Sequence, residues 1–555
     1  MGGPGSGKTT LALLKAAERI GRGLAPGQEV LFLSFSRAAV ARIADAAKDQ
    51  VPTDTQACLA IETFHSFFWQ IVKGYAYLLG APRRLFILLA HDEEAMRDGI
   101  ERGHPAWAAW EVERWRLFQE QGQVAFDLFA PITAELLNRG KRIRDRVASR
   151  YPLILVDEAQ DTGDEQWECV RLLSEKSQVI CLADPSQMIY DFLPGVGPAR
   201  ITRIRDALTP CVVDLEAENH RSPGTEIAVF AHDILVGIVR DVPYDGVSRI
   251  RFRSDVEHRT KSIRCSLGVL RKRILEKQGR PPESMAVIAS YGSGVAVISS
   301  ALQLDPAIPH QVFFDEAFTL LSSRAAAFLL EPKNASTHAA DVATLLELAG
   351  MAFRAKGTKT ARSRSLRLAK YAARCRAGTL PKVKVVHAAS DLLTSARGRV
   401  FSGSPPDDWL SVKEDLRRLG EETFREMASF LDYLVSFARG HRISENLSAL
   451  WMEHETYPGA REALDAALAQ DQLLSGQEKL SGIHVMNMHK CKGKQFDGVV
   501  LYRQQYHSPF VWRDEAAPYT RSRRLLHMAI TRAKSHVLIL DEALSECPII
   551  DPHKL

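Results

Sequence analysis

The chain begins MGGPGSGKTT, and the residues from Gly2 to Thr9 have the types and spacing to hold a phosphate. Gly2-x4-Gly7-Lys8-Thr9 fits a loop whose glycines let backbone N–H groups turn inward around phosphate oxygens. Gly3, Pro4, Gly5 and Ser6 complete the cradle. Lys8 would reach the β- and γ-phosphates of a nucleoside triphosphate, and the Thr9 hydroxyl would ligate Mg²⁺. A second constellation is Asp157-Glu158 in LILVDEAQD. A carboxylate at the end of a buried strand can hold the same Mg²⁺ through water, while its neighbour orients and deprotonates an attacking water. Paired acids after a strand also start many helices. The phosphate loop upstream is what favours the catalytic reading.

Strands must present these groups. Short apolar runs that read as buried parallel strands are EVLFLSFS (29–36), YPLILVDE (151–158), QVICLADP (178–185), FDGVVLY (496–502) and SHVLILD (535–541). Helical patterns lie between them, among them TTLALLKAAERIG after the phosphate loop, closed by Gly21 and Gly23. The alternation predicts open, doubly wound α/β sheets with polar site residues at the carboxyl ends of the strands. A strand should also precede a phosphate loop. None lies before Met1, and a start upstream of it is expected on that ground.

Two regions break the alternation, 67–125 with the Trp-rich HPAWAAWEVERWRLFQEQG, and 320–480, mostly helical. Both read as helical insertions into α/β domains. At 555 residues the chain exceeds what one core accommodates. It has no apolar run of membrane-spanning length and no apolar signal core at its start, so a cytoplasmic chain is expected. Eight scattered cysteines without a C-x-x-C pair argue against a disulfide framework or a zinc site. Formal net charge is only +5, but Met351–Arg399 carries thirteen Lys/Arg against the single acid Asp391. Such a block suits a polyanion, because each cation set against a phosphate releases a counterion. It equally suits a solvated helical face along RSRSLRLAKYAARCR, with Leu366, Leu368 and Tyr371 partly buried.

Further motifs follow in order: LFLSFSRAA (31–39), TFHSF (63–67), ADPSQMIYDF (183–192), ENHRS (218–222), MNMHKCKGKQFDGVVL (486–501) and RRLLHMAITRAKSHVLIL (523–540). With GPGSGKT and DEAQD, this set resembles the UvrD/Rep family of superfamily 1 helicases over nearly the whole chain. The resemblance implies two RecA-like parallel-sheet domains, each with a mainly helical insertion. The first would be 1–66 plus 126–208 and the second 209–319 plus 481–555, with 67–125 and 320–480 inserted. It implies ATP and Mg²⁺ as cofactors, single-stranded or tailed duplex DNA as partner, and movement 3′→5′ on DNA. Gln187 would sense the γ-phosphate, and Arg221 and Arg532 would reach it from the second domain, as guanidinium forks suit phosphate oxygens. Phe35, Thr63, His65, Tyr190, Phe192, Asn487, His489 and Lys490 match strand-contacting positions, where stacking and backbone contacts would combine.

The chain departs from the family pattern on the base side of the nucleotide. Thr10 stands where an Arg is common, His220 where a Tyr stacks, and Gln495 where an acid lies near the sugar. Asn487 replaces a Thr, and Leu193-Pro194 interrupts an Arg-Gly. Weak preference for ATP over other NTPs is therefore expected. A non-unwinding, nucleic-acid-gated ATPase, acting as a switch with a nuclease, repair or phage-defence factor, is the alternative to a translocating helicase.

Overall fold

The computed structural model describes residues 1–97, 100, 103–188, 195–215, 220–313, 317–356, 358–419, 421–435, 438–473, 480–512 and 515–555. In chain order the strands are β1 Val30–Ser34, β2 Leu59–Thr63, β3 Phe86–Leu88, β4 Gln123–Ala125, β5 Leu153–Val156 and β6 Gln178–Cys181. They continue with β7 Val247–Phe252, β8 Ser284–Ala289, β9 Gln311–Phe313, β10 Gly482–Asn487, β11 Phe496–Arg503 and β12 Ala533–Glu542. Every strand pair is parallel. The first large sheet has the order β2-β1-β5-β6 and the second β7-β12-β11-β8-β10-β9. Both are RecA-like cores flanked by helices.

The apolar runs explain these sheets. All five residues of β1, VLFLS, and all four of β5, LILV, are buried, as strands covered on both faces must be. The helix Lys8–Gly21 sets Ala12, Leu13 and Ala16 against Val30, Phe32, Leu153 and Leu155 in one apolar cluster. The helix Arg37–Gln50 adds Ile43 and Ala47 to that cluster and is capped by Ser36, whose hydroxyl accepts from the Ala39 N–H at 3.1 Å. Full burial of a side chain the size of Phe32 or Leu155 contributes roughly 1.5–3 kcal/mol. Of the strands that carry the site, β2 and β10 do not stand out as apolar runs.

Nothing within the described chain forms a complete strand ahead of the phosphate loop. Gly2 makes an isolated parallel bridge to Leu215, and the Leu215 N–H donates to the Met1 carbonyl at 2.9 Å.

Both sheets lie in one compact unit made of Met1–Gly74, Ala130–Phe314 and Ser475–Leu555. The helical stretches Tyr75–Phe129 and Asp315–Leu474 form the other unit. Its central helix Ala317–Leu330 is buried on almost every face, which is why its sequence, AFTLLSSRAAAFLL, lacks a polar stripe. Phe318, Leu346, Phe353, Leu393, Leu431 and Tyr457 belong to the surrounding core. The basic block occupies the helices Lys359–Arg376 and Lys384–Gly398. Part of it is neutralised internally: Arg364 meets Glu426 at 2.8 Å and Glu422 at 3.0 Å, Arg376 meets Glu347 at 2.6 Å, and Arg399 meets Asp415. Leu368 is buried as expected, but Leu366 is 66% exposed, because it falls on the solvent side of the helix with Lys370. Among the described residues no helix is long and apolar enough to cross a membrane, and the eight cysteines are free.

Candidate active site

The phosphate loop is built by backbone conformation. Gly5 and Gly7 both sit at φ 80°, where a side chain would be strained, and Gly7 is the left-handed residue from which the helix Lys8–Gly21 departs. No side chain caps this helix, so the amides of its first turn are left for an anion. Lys8 folds back over the loop, its Nζ donating to the carbonyls of Gly2 and Gly3, the latter at 2.7 Å, and lying 3.5 Å from Asp184 Oδ2. Ser6 Oγ is buried without a hydrogen-bond partner among the described residues.

Asp157 follows β5 and is buried, with Ser34 Oγ donating to it at 3.4 Å and Arg42 Nη2 4.0 Å away. Burial, and then the neighbouring Glu158, push its carboxyl up to about 6. Glu158 itself stands at φ 51°, a left-handed conformation that turns the chain sharply after the strand. Its carboxylate accepts from Gln160 Nε2 at 2.6 Å, and Gln160 Oε1 accepts from the Asp184 N–H at 3.0 Å. Burial alone would raise Asp184, but Lys8, Ser186 and Gln187 outweigh it and hold this carboxyl below its ordinary value.

Gln187 joins the two sheets. Its Nε2 donates to Asp184 at 2.6 Å and its Oε1 accepts from Arg532 Nη2 at 2.5 Å. Arg532 is 1% exposed and also donates to the Met528 carbonyl and the Thr531 hydroxyl. Arg221 donates to the Thr531 carbonyl at 2.9 Å, and the Gln495 amide oxygen, correctly oriented, accepts from its Nε and Nη2 at 3.1 and 3.3 Å. Burial, and then Arg532, press Arg221 well below the ordinary arginine range. Burial also holds Arg532 below its ordinary value, and two guanidinium forks placed here suit phosphate oxygens.

The location of these arginines differs in one respect from the rule of carboxyl strand ends. Asp157, Asp184 and Phe35 do lie past the carboxyl ends of β5, β6 and β1. Gln495 and Arg532 instead immediately precede β11 and β12, at their amino ends, where the Phe496 N–H bonds the Arg532 carbonyl at 3.0 Å. Facing one sheet's carboxyl ends with another's amino ends lets both reach one cleft. Arg221 lies outside every strand. The adjacent His220 N–H donates to the Gly5 carbonyl at 3.0 Å, and its ring lies 3.9 Å from where a Gly7 Cβ would be. Thr10 is exposed one residue past Thr9.

The strand-contact candidates fall on the same loops. Phe35 is half-buried with its ring 4.9 Å from that of Phe64, and His65 follows on the helix Phe64–Tyr75. Thr63 is buried and caps that helix by accepting from the Ser66 N–H at 3.1 Å. Asn487 Oδ1 accepts from the Lys490 N–H at 3.0 Å, shaping the turn that carries His489. Burial, then Arg521, hold the His489 imidazole below its ordinary value. Gly493 ties this turn to the Phe35 loop: a Cβ there would lie 2.6 Å from Ser36 Oγ. Tyr190 and Phe192 lie outside the described residues.

Several residues at the centre of this geometry escape a reading of motifs. Arg42 donates to the Gly493 carbonyl at 3.1 Å, and Lys492 pairs with Asp161. Gln160 and Asp161 stand inside the quoted DEAQD, Asp184 inside ADPSQ and Lys492 inside HKCKGK, so a signal existed for each. Arg42 has only its place one helical turn beyond SFSRAA. For Mg²⁺, the donors fit: the Thr9 hydroxyl and the Asp157 carboxylate are hard oxygen ligands, and the upward shift of Asp157 marks a desolvated carboxylate that a cation would satisfy. Among the described residues no cluster of three or more His, Cys, Asp or Glu could hold a metal, so such an ion would take most of its ligands from phosphate and water.

Comparison with known proteins agrees with this arrangement. The UvrD/REP helicase N-terminal domain matches residues 1–115 and 104–198, and the UvrD-like helicase C-terminal domain matches 409–541. The YjcD protein of Bacillus subtilis is 22% identical, over 97% of this chain and 76% of its own length. The ATP-dependent DNA helicase Rep of Salmonella typhimurium is 25% identical, over 40% of this chain and 39% of its own. DNA helicase II of Haemophilus influenzae is likewise 25% identical, over 40% of this chain and 35% of its own.

Proposed function

We propose, from the premise that this chain belongs to the UvrD/Rep-like superfamily 1 helicases, that it is a DNA-dependent ATPase that moves 3′→5′ along single-stranded DNA and unwinds duplex. Lys8 and the loop amides of Gly2–Thr9 hold the triphosphate. Thr9 and Asp157 would hold a magnesium ion, which when bound neutralises phosphate charge. Glu158 orients the attacking water and takes its proton. Arg221 and Arg532 balance charge that develops on the γ-phosphoryl group, and Gln187 links that group to the turn after β6.

The observation that supports this reading most is one continuous set of contacts: Lys8 to Asp184 at 3.5 Å, Asp184 to Gln187 at 2.6 Å, Gln187 to Arg532 at 2.5 Å. Lys8, on a helix packed against the first sheet, and Arg532, just before β12 of the second, share one network. A triphosphate inserted between them would replace the internal partners of both, so its binding and cleavage change the fit of one sheet against the other.

Phosphate release by the purified chain with Mg²⁺ and ATP, with and without oligo(dT), tests the reading. Strand-stimulated hydrolysis that falls by about a hundredfold or more in Lys8→Ala is the expected result. Absence of wild-type hydrolysis, or hydrolysis indifferent to Lys8→Ala, would refute it. Displacement from 3′-tailed but not 5′-tailed duplexes is expected; stimulation without displacement would select the gated switch. With Thr10 exposed and His220 in place of a larger ring, GTP should be hydrolysed at a rate within about a hundredfold of ATP.

A further inference from the structure

Lys492 and Asp161 form a buried ion pair, their side chains 7% and 1% exposed. Lys492 lies on the segment between β10 and β11, three residues past His489, and its Nζ also donates to the Gln187 carbonyl at 3.2 Å. Asp161 lies in the turn after β5, and its Oδ2 is also reached by Gln160 Nε2 at 3.5 Å. That same Gln160 nitrogen donates to Glu158 Oε2 at 2.6 Å, and Gln160 is fully buried. A line of contacts therefore runs Lys492, Asp161, Gln160, Glu158. It begins on the turn that carries Asn487, His489 and Lys490 and ends on the carboxylate read above as the general base.

Stability does not account for this pair. Removing two ions from water costs several kcal/mol each, and apolar residues of similar volume commonly serve as well or better. The other oxygen of Asp161, Oδ1, is buried with no hydrogen-bond partner among the described residues, so the carboxylate is only half satisfied. Such a contact is costly to keep and sensitive to small displacements of either partner. Arg42 gives the segment a second hold beside it, through the Gly493 carbonyl at 3.1 Å and Asp157 at 4.0 Å.

We propose that Lys492 and Asp161 are a positioning pair that reports occupation of the His489 turn to Glu158, so that strand binding sets the orientation of the general base. This rests on the reading of the chain as a strand-stimulated ATPase. A strand lodged on the turn shifts Lys492; the shift moves Asp161 and, through Gln160, brings Glu158 into line. In this role the pair acts through Gln160 and Glu158 rather than by meeting nucleotide or strand itself.

The test is ATP hydrolysis by Lys492→Met and Asp161→Asn with and without oligo(dT), alongside strand affinity by fluorescence anisotropy. Stimulation should fall by about tenfold or more, while unstimulated hydrolysis, KM for ATP and strand affinity stay within about threefold. Asp161→Asn keeps the Lys492 bond to Gln187, and thermal melting checks that each variant is folded. The double variant Lys492→Met/Asp161→Leu separates the roles: an apolar pair should restore the melting temperature but not the stimulation, and it carries the test if neither single variant folds. Stimulation retained within about twofold, or restored by the apolar pair, would overturn the proposal, as would a parallel fall of stimulated and unstimulated rates. A wild-type chain that no strand stimulates would instead refute the function proposed above, so the two failures are distinguishable.

Discussion

Arg532 and Lys333 are both buried cations, and they differ in what their surroundings supply. Arg532 makes its contacts to neutral groups, Gln187, Thr531 and the Met528 carbonyl, so its charge is left for an anion. Arg532→Ala should lower kcat by about a thousandfold or more, with binding of a fluorescent nucleotide largely kept, and Arg532→Lys should not restore it, because an ammonium lacks the planar fork. Lys333, in the helical unit, has a side chain 3% exposed, with Nζ 3.8 Å from the Phe328 ring centre and 3.8 Å from Glu331. Burial pushes it down to about 8 from 10.5. The folded chain therefore holds fewer protons than the unfolded chain between those values, and native stability should rise as pH rises through that window. Lys333→Met should stabilise the protein by about 2 kcal/mol at pH 7, with the gain shrinking above pH 8. Glu331 keeps Arg461 at 2.8 Å in that variant. Thermal melts of both proteins across pH 6–10 check the sign.

At the scale of elements, the phosphate loop and the helix behind it act as one piece. Its glycine at φ 80°, immediately before Lys8, turns the chain into the first helical turn, whose amides would face the proposed triphosphate. Gly7→Ala should cost about 1–2 kcal/mol in that backbone conformation, seen as roughly tenfold weaker nucleotide binding by fluorescence titration. The basic helix Lys359–Arg376 reads differently once folded. Arg364 and Arg376 are tied to carboxylates, while Lys359, Arg367, Lys370 and Arg374 lie exposed along one side at helical spacing. Replacing these four by Gln should flatten the slope of log affinity for DNA against log salt by up to about 3, measured by anisotropy between 50 and 200 mM salt. An unchanged slope would leave the stripe as a solvated face.

Across the whole molecule, β1, β5, β11 and β12 were legible as strands because a strand buried on both faces must be apolar throughout, and a run such as LILV has few other uses. The edge strand β6 was legible from its apolar run although it is only partly buried. The glycine-rich loop, the acids of DEAQD and the arginine of ITRA stood out as candidates because the chemistry proposed for each admits few residue types at one spacing. Strands β2 and β10 were not, since Leu59–Thr63 is only half-buried and Gly482–Asn487 carries His484 in its core. Tertiary structure alone decided that Arg532 and Gln495 enter from amino strand ends, that Gln187 joins the sheets, and that Lys492 meets Asp161 across 331 positions of chain. Local sequence encodes a residue's chemistry and the element that bears it, because propensity and burial pattern act over a few residues. Which distant groups become partners depends on how whole sheets pack, and that is set by the summed burial of every element at once.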